Sequence, residues 1–277
     1  MSVTREIWEH RDGMMAYDMH VHTSASDAFT TPKALAHVLQ EKQISCAVTD
    51  HNVISGVKKV LEYTPVIPGI EVSAAEGPHI LIYFERYADL EDYFNRHIKG
   101  RHTMCPHLAI RADTEQIIAA AKDAGGLVVA AHPYGYGIAV RGVMKGIMTG
   151  VLPPSAGDRL DGLEVLCAGL RKPYNLAAEQ YATEHGLCMT GGSDAHVPWD
   201  VGLSVAVSSC DAGPAEMLEE IRAKRTRVVG MERTFARNAV QGLCMTPKYI
   251  PWLIPLFATH MQQHIFRMKK MLAKKKL

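Results

Sequence analysis

Histidines and carboxylates in this chain gather at the ends of its apolar runs. His20, His22 and Asp27 close or follow the first run, Asp50 and His51 the second, and Glu71 the third. His79 opens the fourth, His132 follows the fifth, Glu164 lies in the sixth, and Asp194 and His196 follow the seventh. Imidazole nitrogens and carboxylate oxygens together are the donor set of manganese, iron or zinc. Carboxylates packed side by side repel, and desolvated charges cost several kcal/mol each unless compensated. Bound divalent cations relieve both penalties, so a pocket lined by these residues points to a metal cluster.

Such a pocket needs a fold that brings distant strand ends together. Strand patterns cover Met15–His22, Ile44–Val48, Pro65–Val72, His79–Phe84, Leu127–Ala131, Leu163–Leu166 and Cys188–Gly192. Helical patterns cover Thr31–Lys42, Ser55–Tyr63, Thr114–Ala124, Tyr174–His185 and Ala215–Ala223, with Pro32 at a favourable first-turn position. Alternating strand and helix predicts a mainly parallel α/β sheet, a closed barrel or an open doubly wound sheet. In either case the C-terminal strand ends face one mouth. Side chains repeat every two residues along a strand, so His20 and His22 point to one side and Val21 to the other. Glu85–Arg111 and Tyr134–Asp158 break the alternation and are expected as inserted loops over the mouth.

The segments 17–27 (Tyr-Asp-Met-His-Val-His-Thr-Ser-Ala-Ser-Asp) and Thr49-Asp50-His51-Asn52 resemble the first two motifs of the PHP family, named for polymerase and histidinol phosphatase. Pro68-Gly69-Ile70-Glu71-Val72-Ser73 with His79-Ile80, Ala131-His132-Pro133 and Gly192-Ser193-Asp194-Ala195-His196 resemble the later ones, in the family's order, so that residues 17–202 are covered. The resemblance implies an α/β fold, a distorted (β/α)7 barrel, holding two to three divalent metal ions. It implies that His20, His22, Glu71 and Asp194 hold one ion, and that Glu71 bridges to a second held by His79 and His132. Asp27, His51 and His196 would hold a third; some members carry histidine where Asp27 stands. Glu71, Asp194 and His196 are the expected catalytic residues. Hydrolysis of phosphate esters follows, because a water shared by two cations loses a proton near neutral pH, as single zinc sites already show. No Gly-x-Ser-x-Gly nucleophile elbow is present.

Phosphate oxygens beyond the metals usually meet arginine or lysine. Arg141 and Arg171 lie in loops that should overhang the mouth, and Asn52 could touch substrate or fix His51. Asp50 is a candidate to orient a ligand histidine. Glu164 could face the mouth or cap a loop, and His102 and His107 have no strand end to place them. The expected substrate is a small phosphorylated metabolite or nucleotide. A nuclease on short oligonucleotides is the alternative, and a non-catalytic, metal-stabilised binding module stands outside both. Amidohydrolases also open with His-x-His, but their bridging lysine is missing from every strand end here.

The residues divide into an expected barrel domain, 1–232, and a basic extension, 233–277. No acid follows Glu232, while Lys248, Arg267, Lys269, Lys270, Lys274, Lys275 and Lys276 accumulate. Ala258–Leu272 has the spacing of an amphipathic helix, with Met261, Ile265, Phe266, Met268 and Leu272 as its apolar side. That side is expected against the barrel, with contact to anionic lipid or nucleic acid as the sharper reading. The net charge of +1 argues against a broad nucleic-acid-binding face. Six widely spaced cysteines and the absence of a signal-peptide core or an apolar run of about 18 residues fit a reduced, cytoplasmic protein. The oligomeric state is left open.

Overall fold

The computed structural model of the chain describes residues 1–135 and 140–274. Residues 136–139 of the second expected loop, and Lys275 and Lys276 of the basic tail, lie outside the described residues. The strands are β1 (Val3–Thr4), β2 (Met15–Val21), β3 (Ser45–Val48), β4 (Ile67–Ser73), β5 (His79–Tyr83), β6 (Leu127–Ala130), β7 (Gly162–Cys167), β8 (Cys188–Gly192), β9 (Ser204–Ser208) and β10 (Arg227–Gly230). The helices are α1 (Pro32–Lys42), α2 (Ser55–Val60), α3 (Tyr87–His97), α4 (Thr114–Asp123), α5 (Val143–Met148), α6 (Ser155–Asp158), α7 (Lys172–Glu184), α8 (Pro214–Arg222), α9 (Phe235–Tyr249) and α10 (Leu253–Lys274). Local sequence sets several boundaries. Thr31 caps α1 by accepting from the Ala34 amide with Pro32 just inside, and Asp113 with Gln116 forms a capping box on α4.

All ten strands join one curled sheet in the order β1-β10-β9-β2-β3-β4-β5-β6-β7-β8. The β2–β3–β4 and β6–β7–β8 runs are parallel, whereas β5 is antiparallel to both neighbours and β9 to β2 and β10. The short Ala74–Pro78 turn, too short for a crossover helix, forces β5 to run back. The curl brings the end of β8 onto β2: the Asp194 amide donates to the His20 carbonyl at 2.9 Å and the His22 amide to the Ala195 carbonyl at 3.1 Å. Gly192 permits this approach, since a Cβ there would sit 2.4 Å from that of His20.

One apolar layer lies between sheet and helices and includes Leu35, Val48, Ile70, Ile118 and Val165. A second fills the inside of the curl, with Tyr17, Met19, Ile67, Leu81 and Val129. Tyr83 on β5 crosses this interior to donate to the Met19 carbonyl on β2 at 2.8 Å. The register of β2 against β3 shifts between Asp18 and Val21. Across that irregularity the inward position passes from Tyr17 and Met19 to His20 and His22, while Val21 joins the outer layer. Re-aiming a side chain in this way is a common use of a bulge.

The two expected loops contain helices. Within Glu85–Arg111, α3 buries Leu90 and Tyr93 against the outer layer, and residues beyond it lie near the mouth. Within Tyr134–Asp158, α5 and α6 form short turns. The largest difference lies at the C-terminus. The apolar side of α10 does not pack on the sheet: Met261, Ile265, Met268 and Leu272 are exposed, whereas Thr259 and Gln263 are buried. Arg267 and Lys270 also face inward, the first donating to the Glu76 carbonyl and the second pairing with Glu76 and Asp113. The surface under α10 is acidic, so it takes the helix's polar side. Among the described residues no helix is long and apolar enough to cross a membrane.

Asp18 ties three segments at the base of the mouth. Its Oδ1 accepts from the His20 and Ser193 amides at 3.2 and 2.9 Å, and its Oδ2 from the Gly202 amide at 2.7 Å. Burial pushes this carboxyl up to about 6, against the opposing pull of those donors. Asp18→Asn turns one acceptor into a donor that faces an amide. It is expected to lower the unfolding free energy by about 1–3 kcal/mol, measured by urea denaturation.

Candidate metal centre

The mouth of the curled sheet is lined by residues from most of its strands. His20 on β2 and His22 just beyond it, His51 beyond β3, Glu71 on β4, His79 on β5, His132 beyond β6, and Asp194 and His196 beyond β8 are all buried, as is Asp27 in the loop after β2. Each set expected from the sequence is brought together. His20 Nε2 and His22 Nε2 lie 3.1 Å apart, both 3.4 Å from Glu71 Oε2 and 3.6 and 3.3 Å from Asp194 Oδ1. Glu71 Oε1 lies 3.0 Å from both His79 Nδ1 and His132 Nε2. His196 Nε2 is 3.3 Å from Asp27 Oδ1, and His51 Nε2 is 3.8 Å from Asp27 Oδ2. His51 also presents Nδ1 to Glu71 Oε2 at 2.9 Å, so it stands between the second and third sets.

Backbone strain concentrates here. Asn52, His132 and Asp194 have φ of 54°, 29° and 50°, three of the five described non-glycine residues with positive φ. Such conformations persist only where the surroundings over-determine them. Glu164 supplies part of that hold at His132: its Oε2 accepts from the His132 amide at 2.6 Å, and its Oε1 meets His20 Nδ1 at 3.0 Å. Glu164 therefore faces the mouth from behind the histidines.

Other candidates take different places. Asn52 is fully buried, its Oδ1 accepting from the Ser73 amide and its Nδ2 donating to the Pro106 carbonyl, both at 2.9 Å. Its side chain is engaged by these two bonds, which clamp the 101–111 segment to β4. Asp50 orients no histidine; it accepts from the Thr23 amide, Thr23 Oγ1 and Ser26 Oγ, and so shapes the loop that carries Asp27. His102 meets the Asn52 carbonyl and His107 packs edge-on to Trp252. Arg141 and Arg171 do line the mouth. They border a cavity of about 450 Å³ together with Asp27, His51, His79, His132, Asp194 and His196.

The roof of that cavity comes from the segment read as an extension. Phe235, Asn238, Gln241, Met245 and Tyr249 of α9 line it, along with Arg233. Gln241 Nε2 donates to the Asp194 carbonyl at 3.2 Å and its Oε1 accepts from the His196 amide at 3.3 Å. Arg233 pairs with Asp200 at 2.9 Å and donates to Gln241. No periodicity signals these contacts, because they depend on how α9 docks.

Burial would raise the carboxyls of Glu71, Asp27 and Asp194, but the surrounding imidazoles outweigh it and hold all three well below their usual values. Burial would lower His20, yet Glu164, Glu71 and Asp194 together hold it well above its ordinary value. Burial lowers His22 and His79 to about 3, while Glu71 and Asp27 overcome burial to raise His51 to about 9. Three buried carboxylates thus depend on positive charge from the imidazoles. Asp27 Oδ1 and His196 Nε2, facing each other, make no hydrogen bond. Donor atoms of His22, Asp27, His51 and His196, of His20, His22 and Asp194, and of His51, Glu71 and His79 form three groups, each with its atoms within 4.8 Å of one another. This donor set fits divalent cations.

A family model described as PHP-associated matches residues 172–226. The 5'-3' exoribonuclease Rnm of Escherichia coli is 35% identical over 71 residues, which cover 23% of this chain and 24% of Rnm, so the match spans about a quarter of that relative. A two-domain protein from Bacteroides vulgatus, containing a predicted PHP-like metal-dependent phosphoesterase, aligns with a TM-score of 0.53 at 17% identity over 82% of this chain and 69% of its own. The lesion-specific endonuclease PfuEndoQ from Pyrococcus furiosus aligns with a TM-score of 0.62 at 18% identity over 78% of this chain and 57% of its own. At these identities the two structures speak for the fold. These partial likenesses agree with the resemblance to the PHP family carried by the motifs.

With these donors brought together only by the fold, manganese should bind the folded chain and not the unfolded one. Manganese at about a hundredfold excess over Kd is expected to add about 2.7 kcal/mol of stability. Thermal melts with manganese and after chelation would measure the gain. His22→Ala or Asp194→Ala should lose most of it.

Proposed function

We propose that this protein hydrolyses phosphate esters of small phosphorylated molecules, nucleotides among them, with two to three divalent ions held by its histidines and carboxylates. The reading is carried by one observation: three carboxylates and six imidazoles converge, buried, under a cavity of about 450 Å³ bordered by Arg141, Arg171 and Arg233. We assign His20, His22, Glu71 and Asp194 to one ion, Glu71, His79 and His132 to a second, and Asp27, His51 and His196 to a third. The strands β2 to β8 are read as the family's distorted seven-stranded barrel. Bound manganese, iron or zinc would offset charge on the phosphoryl oxygens and lower the pKa of an attacking water.

The chain's own residues do the rest. Arg141 and Arg171 hold the phosphoryl oxygens that face away from the histidines, and Arg171 is steadied by Tyr174, whose hydroxyl accepts from its Nη2 at 3.3 Å. Glu164 fixes the orientation of His20 through Nδ1 and leaves Nε2 directed at Glu71 and Asp194. Glu71, Asp194 and His196 border the reacting centre and keep it ionised. The α9 roof limits the substrate's size and excludes water from one side.

The alternative, a nuclease acting on short oligonucleotides, draws support from the likeness to Rnm and to the lesion-specific endonuclease. Product analysis separates the two. Inorganic phosphate released from mononucleotides supports the first reading, and free nucleotides released from oligomers support the second.

With manganese and an aryl phosphate, His22→Ala and Asp194→Ala are expected to fall to background turnover while staying folded. Undiminished release of phosphate by either variant would refute the site. Arg171→Ala should lower kcat/KM by about tenfold or more, since a charge-assisted hydrogen bond is worth about 1.5–3 kcal/mol.

A further inference from the structure

We propose that Tyr249 is a positioning residue for a single cation set, the one built on Asp27, His51 and His196. The inference rests on the metal-dependent reading above and adds to it a residue outside the motif-bearing segment. The Tyr249 hydroxyl, at the end of α9, donates to Asp27 Oδ2 at 2.5 Å. The other oxygen of that carboxylate, Oδ1, faces His196 Nε2 at 3.3 Å and makes no hydrogen bond. The phenol thus takes one oxygen of Asp27 and directs the other at the space before His196.

Asp27 needs such a hold more than the other carboxylates do. Glu71 belongs to β4, and Asp194 follows β8, where its amide is bonded to β2. Asp27 stands instead in the loop after β2, which Asp50 anchors from the far side through Thr23 and Ser26. Its carboxylate is fixed on the near side by Tyr249. The same helix grips His196, through the bond from the His196 amide to Gln241. By contrast, His20 and His132 are held by Glu164. The docking of α9 therefore reaches a ligand carboxylate only in this set; it meets the first set at the Asp194 backbone carbonyl and leaves the second to the sheet.

Groups that orient a ligand typically contribute 10–100-fold to metal affinity. The test uses the full chain, stripped with chelator and titrated with manganese by equilibrium dialysis with metal analysis, as wild type, Tyr249→Phe and Asp27→Asn. Tyr249→Phe is expected to weaken one ion by about 10–100-fold, the same ion that Asp27→Asn loses, and to leave the remaining affinities unchanged. Superimposable wild-type and Tyr249→Phe curves overturn the proposal. Equal weakening of every ion, or weakening of an ion that Asp27→Asn retains, overturns it as well. A wild-type chain that takes up no manganese overturns the metal-dependent reading and this inference with it, an outcome distinct from the others.

Discussion

The structure is organised around one buried carboxylate. Glu71 Oε1 meets His79 and His132 at 3.0 Å, and Oε2 meets His51 at 2.9 Å and His20 and His22 at 3.4 Å. A fully buried glutamate carries a desolvation cost of several kcal/mol unless positive charge surrounds it. Protonated His20 and His51 can supply part of that charge, and cations held by the five rings would supply more. The five rings converge from β2, β5 and the ends of β3 and β6 onto the carboxylate that β4 directs into the mouth. The curl of the sheet, the reversal of β5 and the bulge in β2 can all be understood as satisfying that convergence.

Holding like groups together is costly, and the cost is met by a second ring of polar residues that never reach the cavity. Glu164 pins His20 and the strained His132 backbone, Asp18 ties β2 to the Ser193 and Gly202 amides, and Asn52 and Asp50 fix the loops that carry His51 and Asp27. Each of these side chains is fully or almost fully buried. A buried polar network is stable only when its members are satisfied, and these are bonded mainly to backbone amides. Rigid amides make better fixed points than other side chains for holding the histidines in place.

Much of this was legible in the sequence. Met15–Val21 and Cys188–Gly192 announce themselves as apolar runs closed by histidine and aspartate, and Thr31-Pro32 announces the start of α1. The helix α3 had a readable signal too, since Tyr87, Leu90, Phe94 and Ile98 follow its period, but the surrounding charges hid it. The strand β9, Ser-Val-Ala-Val-Ser, is short, with serine or alanine at three of its five positions, and its burial comes from pairing with β2 and β10, which no local pattern encodes. Asp18 shares the two-residue spacing of His20 and His22, yet the bulge between them gives it a different task. For Asn52 beside His51 the sequence left two roles open, because adjacency says nothing about a positive φ that turns the side chain into the protein.

The C-terminal helices show where periodicity stops being informative. Spacing correctly marks one side of α10 as apolar, and it is the partner surface that decides which side turns inward. That surface carries Glu76, Asp113 and Thr103, so Arg267, Lys270 and Thr259 face it and Phe257, Met261, Ile265 and Met268 face outward. The arrangement has a consequence for the site. A helix packed by greasy contacts could slide with little loss, whereas ion pairs and hydrogen bonds to fixed acceptors set its register. The connection to α9 passes through the short turn at Ile250–Trp252, so the register of α10 also fixes where α9 ends. The end of α9 is Tyr249, and its hydroxyl rests on Asp27. The polar packing of the last helix is thus transmitted, through one turn of chain, to the edge of the histidine cluster.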